Sequence, residues 1–591
     1  MSEATAASPG PDNDSDTIDE AVREQLSVLL TAGTNLLNNS DLMGRLDPIS
    51  LFPAVLRTSL AAASRPDKVA GVLSRTAGEM LRATAAATVR AVGGSSSYAP
   101  KRLKDRRFAD PTWSDNAAYW LAREIYLAWQ QSLLEIIRDA ETPADVRQKA
   151  EFAVQLMTDA LAPTNFALGN PAVIKKALET GGLSLAKGAR NFAHDLLTNQ
   201  GAPRQVVPGV HSVGKDMAVT PGKVVFQNDL MELIQYAPST AEVHEIPLLF
   251  SPPWINKYYV MDLAPGRSLV QWGVDHGHTV FMISYRNPDE RMRHVQMDDY
   301  LISGPVAALE VVGNITGAEK INLLGLCLGG TLTMATLAYL DAVGMELINS
   351  ATFLNTLIDF SEPGLLGVFT DEATIRRLEK TMKRTGFLPK EDMQRSFNLL
   401  RTNDLIWNYA VSSWLMGEEP PAFDLLSWNN DSTRMPAEMH TFYLRSCYVN
   451  NELARGVMEL AGQPLDLARV DQDLYFLSAE QDHIAPWRSS YAGARLPSGR
   501  VRFVLSNSGH IAGIVNPPSP KSIHRVLEGD QPLPADPADW LAVATTHPMT
   551  WWEDWAQWIA ARAGAMRKPP RMGSRKYRPI TDAPGTYVLE R

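Results

Sequence analysis

With 591 residues the chain exceeds what one ordinary core organises, so two or more domains are expected. Hydrophobic residues at 45% and charged residues at 21% are those of a soluble globular protein, and a formal net charge of -10 argues against a nucleic-acid binder, since phosphate contacts call for a basic face. Cys327 and Cys447 are the only cysteines, which argues against a disulfide framework or a zinc cluster and favours a cytosolic setting.

Residues 1–19 are rich in Ala, Ser, Pro, Gly and Asp and lack a basic stretch followed by an apolar one; they read as disordered, not as a signal peptide. Residues 20–205 read as an all-helical domain, starting with a helix over 21–37 and interrupted by Gly93-Gly94-Ser95-Ser96-Ser97. Its clearest helix spans 120–139, where Trp120, Ile125, Leu127, Ala128, Leu133, Leu134 and Ile137 share a broad apolar face. Such faces read first as the domain's own core, and otherwise as a surface for a partner or an apolar material. No catalytic constellation stands out in this part.

From about residue 206 the pattern changes to alternating strands and helices, which implies a mostly parallel sheet covered on both faces. Strands are expected within 222–236 and at 246–250, 279–284, 321–324, 350–355, 473–478 and 501–506, with helices at 298–312 and 330–343. Residues 357–466 break the alternation with Phe-, Leu-, Trp- and Met-rich helical pieces, among them 392–400 and 404–414. An insertion of about 110 residues between two core strands reads as a cap or lid. Trp551, Trp552, Trp555 and Trp558 read as a closing helix packed on the core.

The stretch 320–331, K-I-N-L-L-G-L-C-L-G-G-T, carries the chemistry. Residues 321–340 hold no charge and are long enough to suggest a membrane span, but their glycines and threonines fit a strand, a sharp turn and a helix better. Gly325 and Gly329 stand two before and two after Cys327, where a nucleophile elbow of the α/β-hydrolase fold requires small residues. The backbone N–H of Leu328, at a helix N-terminus, can receive an oxyanion. The loop after the third strand, Ser251-Pro252-Pro253-Trp254-Ile255-Asn256, should supply a second donor; the prolines have no N–H, which leaves Trp254 or Ile255.

In this fold the acid and then the histidine follow the nucleophile. Asp482, preferred over Glu480, comes after strand 473–478, and His510 comes after strand 501–506 among Gly509, Ala512 and Gly513. His483, His524 and His547 compete less well: the first directly follows Asp482, and the other two follow no strand. A cysteine nucleophile forms a thioester, which keeps an acyl group activated for a second acceptor. That suits acyl transfer from a thioester to a hydroxyl more than ester hydrolysis.

These residues resemble the polyhydroxyalkanoate synthases. The lipase-like box G-x-C-x-G-G is matched by Gly325-Leu326-Cys327-Leu328-Gly329-Gly330, and further matching segments begin at Pro252, Arg286, Asn403, Asp482 and Ser508. The likeness runs from about residue 108 onward and is closest to the class I, short-chain synthases. Tyr285 departs from it, since Trp is expected before Arg286-Asn287-Pro288. The resemblance implies that Cys327 takes a 3-hydroxyacyl group from its coenzyme A thioester with His510 as base, that Asp482 orients His510 or helps activate the incoming hydroxyl, and that a polyester grows. Coenzyme A is then a substrate component, and no cofactor or metal is expected. It also implies a cytoplasmic homodimer at the surface of a polymer granule with its phasin coat. Two other readings stay open: a Cys-nucleophile thioesterase, and a non-catalytic granule-binding protein. Arg401 and Lys257 are candidates for the coenzyme phosphates or plain surface charges.

Overall fold

The computed structural model describes residues 48–98, 105–529 and 531–591. The expectations for residues 1–19 and for a helix over 21–37 lie outside them.

Residues 48–198 form helices α1 (Pro48–Ala63), α2 (Pro66–Ala91), α3 (Ala117–Arg138), α4 (Ala144–Ala160), α5 (Pro171–Glu179) and α6 (Leu183–Thr198). Local chemistry sets their starts. Asn116 accepts from the N–H groups of Ala118 and Tyr119 to cap α3, and Asn170 caps α5 ahead of Pro171. Ala83, Ala86 and Ala87 of α2 let it lie close along α3, where they meet Trp120. Ile125, expected on the apolar face of α3, is exposed.

Strands β1 (Gly222–Gln227), β2 (Met231–Tyr236), β3 (Leu248–Ser251), β4 (Val280–Tyr285), β5 (Ile321–Leu326), β6 (Ile348–Leu354), β7 (Asp473–Ala479), β8 (Val501–Ser506), β9 (Ile523–Val526), β10 (Thr545–Pro548) and β11 (Thr581–Asp582) form one sheet. Their order is β10-β9-β8-β7-β6-β5-β3-β4-β2-β1-β11. The middle, from β4 to β8, is parallel, and antiparallel strands flank it. That is the α/β-hydrolase arrangement. β3 and β5 are buried along their whole length, as continuous apolar runs between two helical layers should be. One layer includes α7 (Leu328–Ala342), with Leu332, Met334 and Leu337 in the core; on the opposite face lie Trp551 and the tryptophans of α12 (Trp552–Ala560).

The expected single helix over 298–312 is instead a helical run over 297–316. It has a wide turn at Ile302–Val306, where Gly304 leaves helical geometry (φ −94°, ψ −110°) just before Pro305. Between β6 and β7 the chain makes α8 (Glu372–Thr385), α9 (Lys390–Leu400), α10 (Asp424–Asn430) and α11 (Ala437–Tyr443). The helix expected over 404–414 is wound as π turns, Asn403–Trp407 and Ala410–Leu415, and a third π segment, Leu444–Val449, continues α11.

The N-terminal helices rest on this insertion. Thr402 donates to Asp159 (2.7 Å), the indole of Trp414 donates to Asp195 (2.9 Å), and Lys149 pairs with Asp371 (2.7 Å). A Cβ on Gly188 of α6 would lie 2.1 Å from the carbonyl oxygen of Trp414, so the two layers touch backbone to backbone.

Candidate active site

Cys327 is the single residue between β5 and α7, with φ 52° and ψ −119°. A side-chain-bearing residue in that region costs about 1–3 kcal/mol, so the surroundings must impose it. The Cys327 N–H donates to the Leu354 carbonyl (2.9 Å), and its own carbonyl accepts from Gly330 (2.9 Å) and Thr331 (3.2 Å). The flanking glycines are fixed by contact. A Cβ on Gly325 would come within 2.5 Å of Gly330 Cα, one on Gly329 within 2.1 Å of the Ser251 oxygen, and one on Gly330 within 2.0 Å of Thr356 Oγ1.

β7 delivers Asp482 and β8 delivers His510 to the same end of the sheet. His510 Nδ1 lies 2.7 Å from Asp482 Oδ2, with both side chains buried. The other carboxylate oxygen of Asp482 accepts the N–H groups of Ile484 (2.8 Å) and Ala485 (2.9 Å), which fixes the carboxylate plane. The Cys327 thiol is the imidazole's other side-chain neighbour of note. Burial alone would push the His510 pKa down, but the Asp482 carboxylate and the Cys327 sulfur outweigh it and hold the pKa well above the ordinary histidine value. Thiol, imidazole and carboxylate therefore lie together at one end of the sheet.

The competing residues sit elsewhere. Glu480 pairs with Arg525 at 3.0 Å. His524 faces the Met549 carbonyl and stacks on His547, which binds Glu528. His483 is largely buried beside Asp482; burial first, and Arg401 next, push its pKa down to about 4.

Leu328 is the first residue of α7, and the carbonyls of Ser251 and Pro252 press against Gly329, so the Trp254 loop passes beside the elbow. Among the described residues, the N–H groups of Leu328, Trp254 and Ile255 donate to no protein acceptor, whereas that of Asn256 is taken by Thr433 Oγ1 (2.9 Å).

Three features were not legible in the sequence. Asn355, at φ 44° just past β6, donates its side-chain amide to the His510 carbonyl and anchors that loop. Tyr443 and Tyr448 of the insertion are the second: burial, with neighbouring groups that include the Cys327 sulfur, raises both phenol pKa values, and the two hydroxyls are 3.3 Å apart. The ring of Trp254 meets Tyr443 and Tyr300 edge to face, each at 5.7 Å, so that the loop and the insertion share one aromatic cluster. Lys257 is the third, and it corrects an expectation. It is neither at the surface nor free for a phosphate, because its ammonium is buried against Asp431 and two backbone carbonyls. Arg401 is half-exposed and paired with Asp404.

Comparison with known proteins agrees with this fold. Residues 104–273 match the family described as poly-beta-hydroxybutyrate polymerase (PhaC) N-terminus, and residues 239–517 match the alpha/beta hydrolase fold. A poly(3-hydroxyalkanoate) polymerase of Methylorubrum extorquens is 44% identical over 82% of this chain and 80% of its own length. The poly(3-hydroxyalkanoate) polymerase subunit PhaC of Cupriavidus necator is 42% identical over 82% of this chain and 83% of its own. Relatedness at this level across most of both chains makes the protein a member of the poly(3-hydroxyalkanoate) polymerase family.

Proposed function

We propose that this acyltransferase polymerises (R)-3-hydroxyacyl groups, of short chain length as in 3-hydroxybutyryl-CoA, with release of coenzyme A through Cys327, His510 and Asp482. The observation that carries the reading is a cysteine at a strained elbow, with a buried imidazole in contact with its sulfur and a carboxylate on the far ring nitrogen.

His510 takes the thiol proton, and the Cys327 thiolate attacks the thioester carbonyl. The oxyanion is received by the Leu328 N–H and by that of Trp254 or Ile255. Collapse expels coenzyme A thiolate, which leaves with the proton from His510. The hydroxyl of a second 3-hydroxyacyl unit then gives its proton to His510 and attacks the Cys327 thioester, so that an ester forms and the thiol is regenerated. Asp482, held by two backbone N–H groups, keeps Nδ1 protonated and Nε2 turned to sulfur. Thioester exchange and ester formation call for no cofactor. Exposed Leu168, Leu178, Leu183 and Leu197 on the helical region suit contact with an apolar polymer surface, and the same proposal includes a homodimer on such granules with a phasin coat.

Incubation with 3-hydroxybutyryl-CoA should yield free coenzyme A and an insoluble polyester, and Cys327→Ala should abolish both. Free 3-hydroxybutyrate without polymer would make the protein a thioesterase, and coenzyme A release by Cys327→Ala would remove the nucleophile.

A further inference from the structure

Lys257 ends the loop that begins at Trp254, and its buried ammonium directs its donors to three acceptors. They are the carbonyls of Val588 (2.7 Å) and Glu590 (2.9 Å), and Asp431 Oδ1 of the insertion (2.9 Å). A buried ammonium persists only where its donors are met. Burial pulls its pKa down while the Asp431 carboxylate holds it up.

Both acceptor segments are themselves fixed. Glu232 accepts the N–H groups of Thr586 (2.9 Å) and Tyr587 (3.0 Å), and Arg286 reaches Glu590 at 3.2 Å. Around Asp431, Thr433 Oγ1 donates to the Trp254 carbonyl (3.0 Å), the Trp428 indole donates to the Lys257 carbonyl (2.8 Å), and the Tyr259 hydroxyl reaches Asp431 (2.9 Å). The loop cannot shift away from the elbow without stranding the ammonium, and its Asn256, at φ 63°, is a tight turn that transmits such a shift to Ile255 and Trp254.

We propose that Lys257 is a positioning residue for acyl transfer. It fixes the N–H groups of Trp254 and Ile255 beside Cys327 by tying their loop to the base of the insertion and to residues 588–590. The inference rests on the oxyanion role given to that loop above, and it concerns the transition state and not the nucleophile.

Lys257→Met keeps the stem and removes the donors. Its kcat for coenzyme A release from 3-hydroxybutyryl-CoA should fall about 10- to 100-fold with KM within about threefold, the signature of a displaced oxyanion donor. Alkylation of Cys327 by iodoacetamide should keep its rate within about twofold, because sulfur and imidazole are untouched. A kcat within about twofold of the parent overturns the proposal, and so does an alkylation rate that falls in step with kcat. If Lys257→Met does not accumulate as folded protein, Asp431→Asn replaces it: a kcat loss of about fivefold at unchanged alkylation supports the tie, and no loss overturns it. Cys327→Ala is assayed alongside. Coenzyme A release by that variant would sink the nucleophile reading, whereas an inert Cys327→Ala beside a fully active Lys257→Met would sink only the positioning role.

Discussion

Asn355 shows how much of this site is held by groups that perform no chemistry. Its backbone N–H donates to the Leu477 carbonyl (2.8 Å), its side chain donates to the His510 carbonyl, and it occupies φ 44°. Asparagine tolerates that conformation better than most residues, whereas alanine is penalised by about 1 kcal/mol. Asn355→Gly keeps the backbone accessible and deletes only the amide. Both Asn355→Gly and Asn355→Ala are expected to lose about tenfold in kcat for coenzyme A release, since the imidazole loop is released in each. Asn355→Ala alone should add a stability deficit of about 1 kcal/mol, read by denaturant titration. At this scale the side chains that the fold brings together were legible and their supports were not. Gly325, Cys327 and Gly329 form a spacing with one good steric explanation, and Asp482 and His510 each follow a strand. Asn355 and Lys257 owe their roles to partners 155 and more than 170 residues away, which no local pattern records.

Among the elements, α11 carries a titratable liability. His440 is buried there, its Nδ1 has no partner among the described residues, and burial pushes its pKa down to about 4. The unfolded chain takes up this proton near pH 6.5 while the folded one resists until about pH 4, so stability is lost as pH falls through that window and is flat above it. The loss from this residue amounts to about 3 kcal/mol at pH 4. His440→Phe is expected to remove about one proton from the pH dependence of unfolding between pH 6.5 and 4, measured by urea melts at a series of pH values. His278 and His483, which burial also depresses, to about 3 and about 4, add to the remaining slope, as does His524, which burial lowers as well. The strands were readable because buried parallel strands are short apolar runs bounded by turns; most observed limits lie within two residues of expectation. The π turns were not, since the sequence of 403–415 has ordinary helical periodicity and only packing against its neighbours decides how it winds. The tryptophans after β10 show a second use beyond filling the core: the indoles of Trp551 and Trp552 donate to the carbonyls of Gly513 (2.7 Å) and Ile514 (2.9 Å), which brace the segment that follows His510.

Across the whole molecule, polar ties between the N-terminal helices and the insertion are met at buried carboxylates. Asp195 is fully buried and accepts from Arg204 Nε (2.8 Å) and from the Trp414 indole (2.9 Å). Asp195→Ala strands a guanidinium and an indole N–H, so a loss of about 3 kcal/mol is expected. In limited proteolysis the cuts should appear first between the helices and the sheet, around residues 199–221. Equal protection of parent and variant there would count against this tie. The helical class of residues 48–198 was readable from periodicity, but their docking partner was not, because an amphipathic face specifies that something apolar covers it and not what.

That docking has a mechanical corollary. Since the bundle is fastened to the same insertion that carries Tyr443 and Tyr448, any outward swing of the insertion as a unit would drag about 150 residues through solvent or shear Thr402 from Asp159 and Trp414 from Asp195. Anchoring the bundle to a bulky support would therefore resist any such swing, and turnover that depended on one would register where the outermost helices are held.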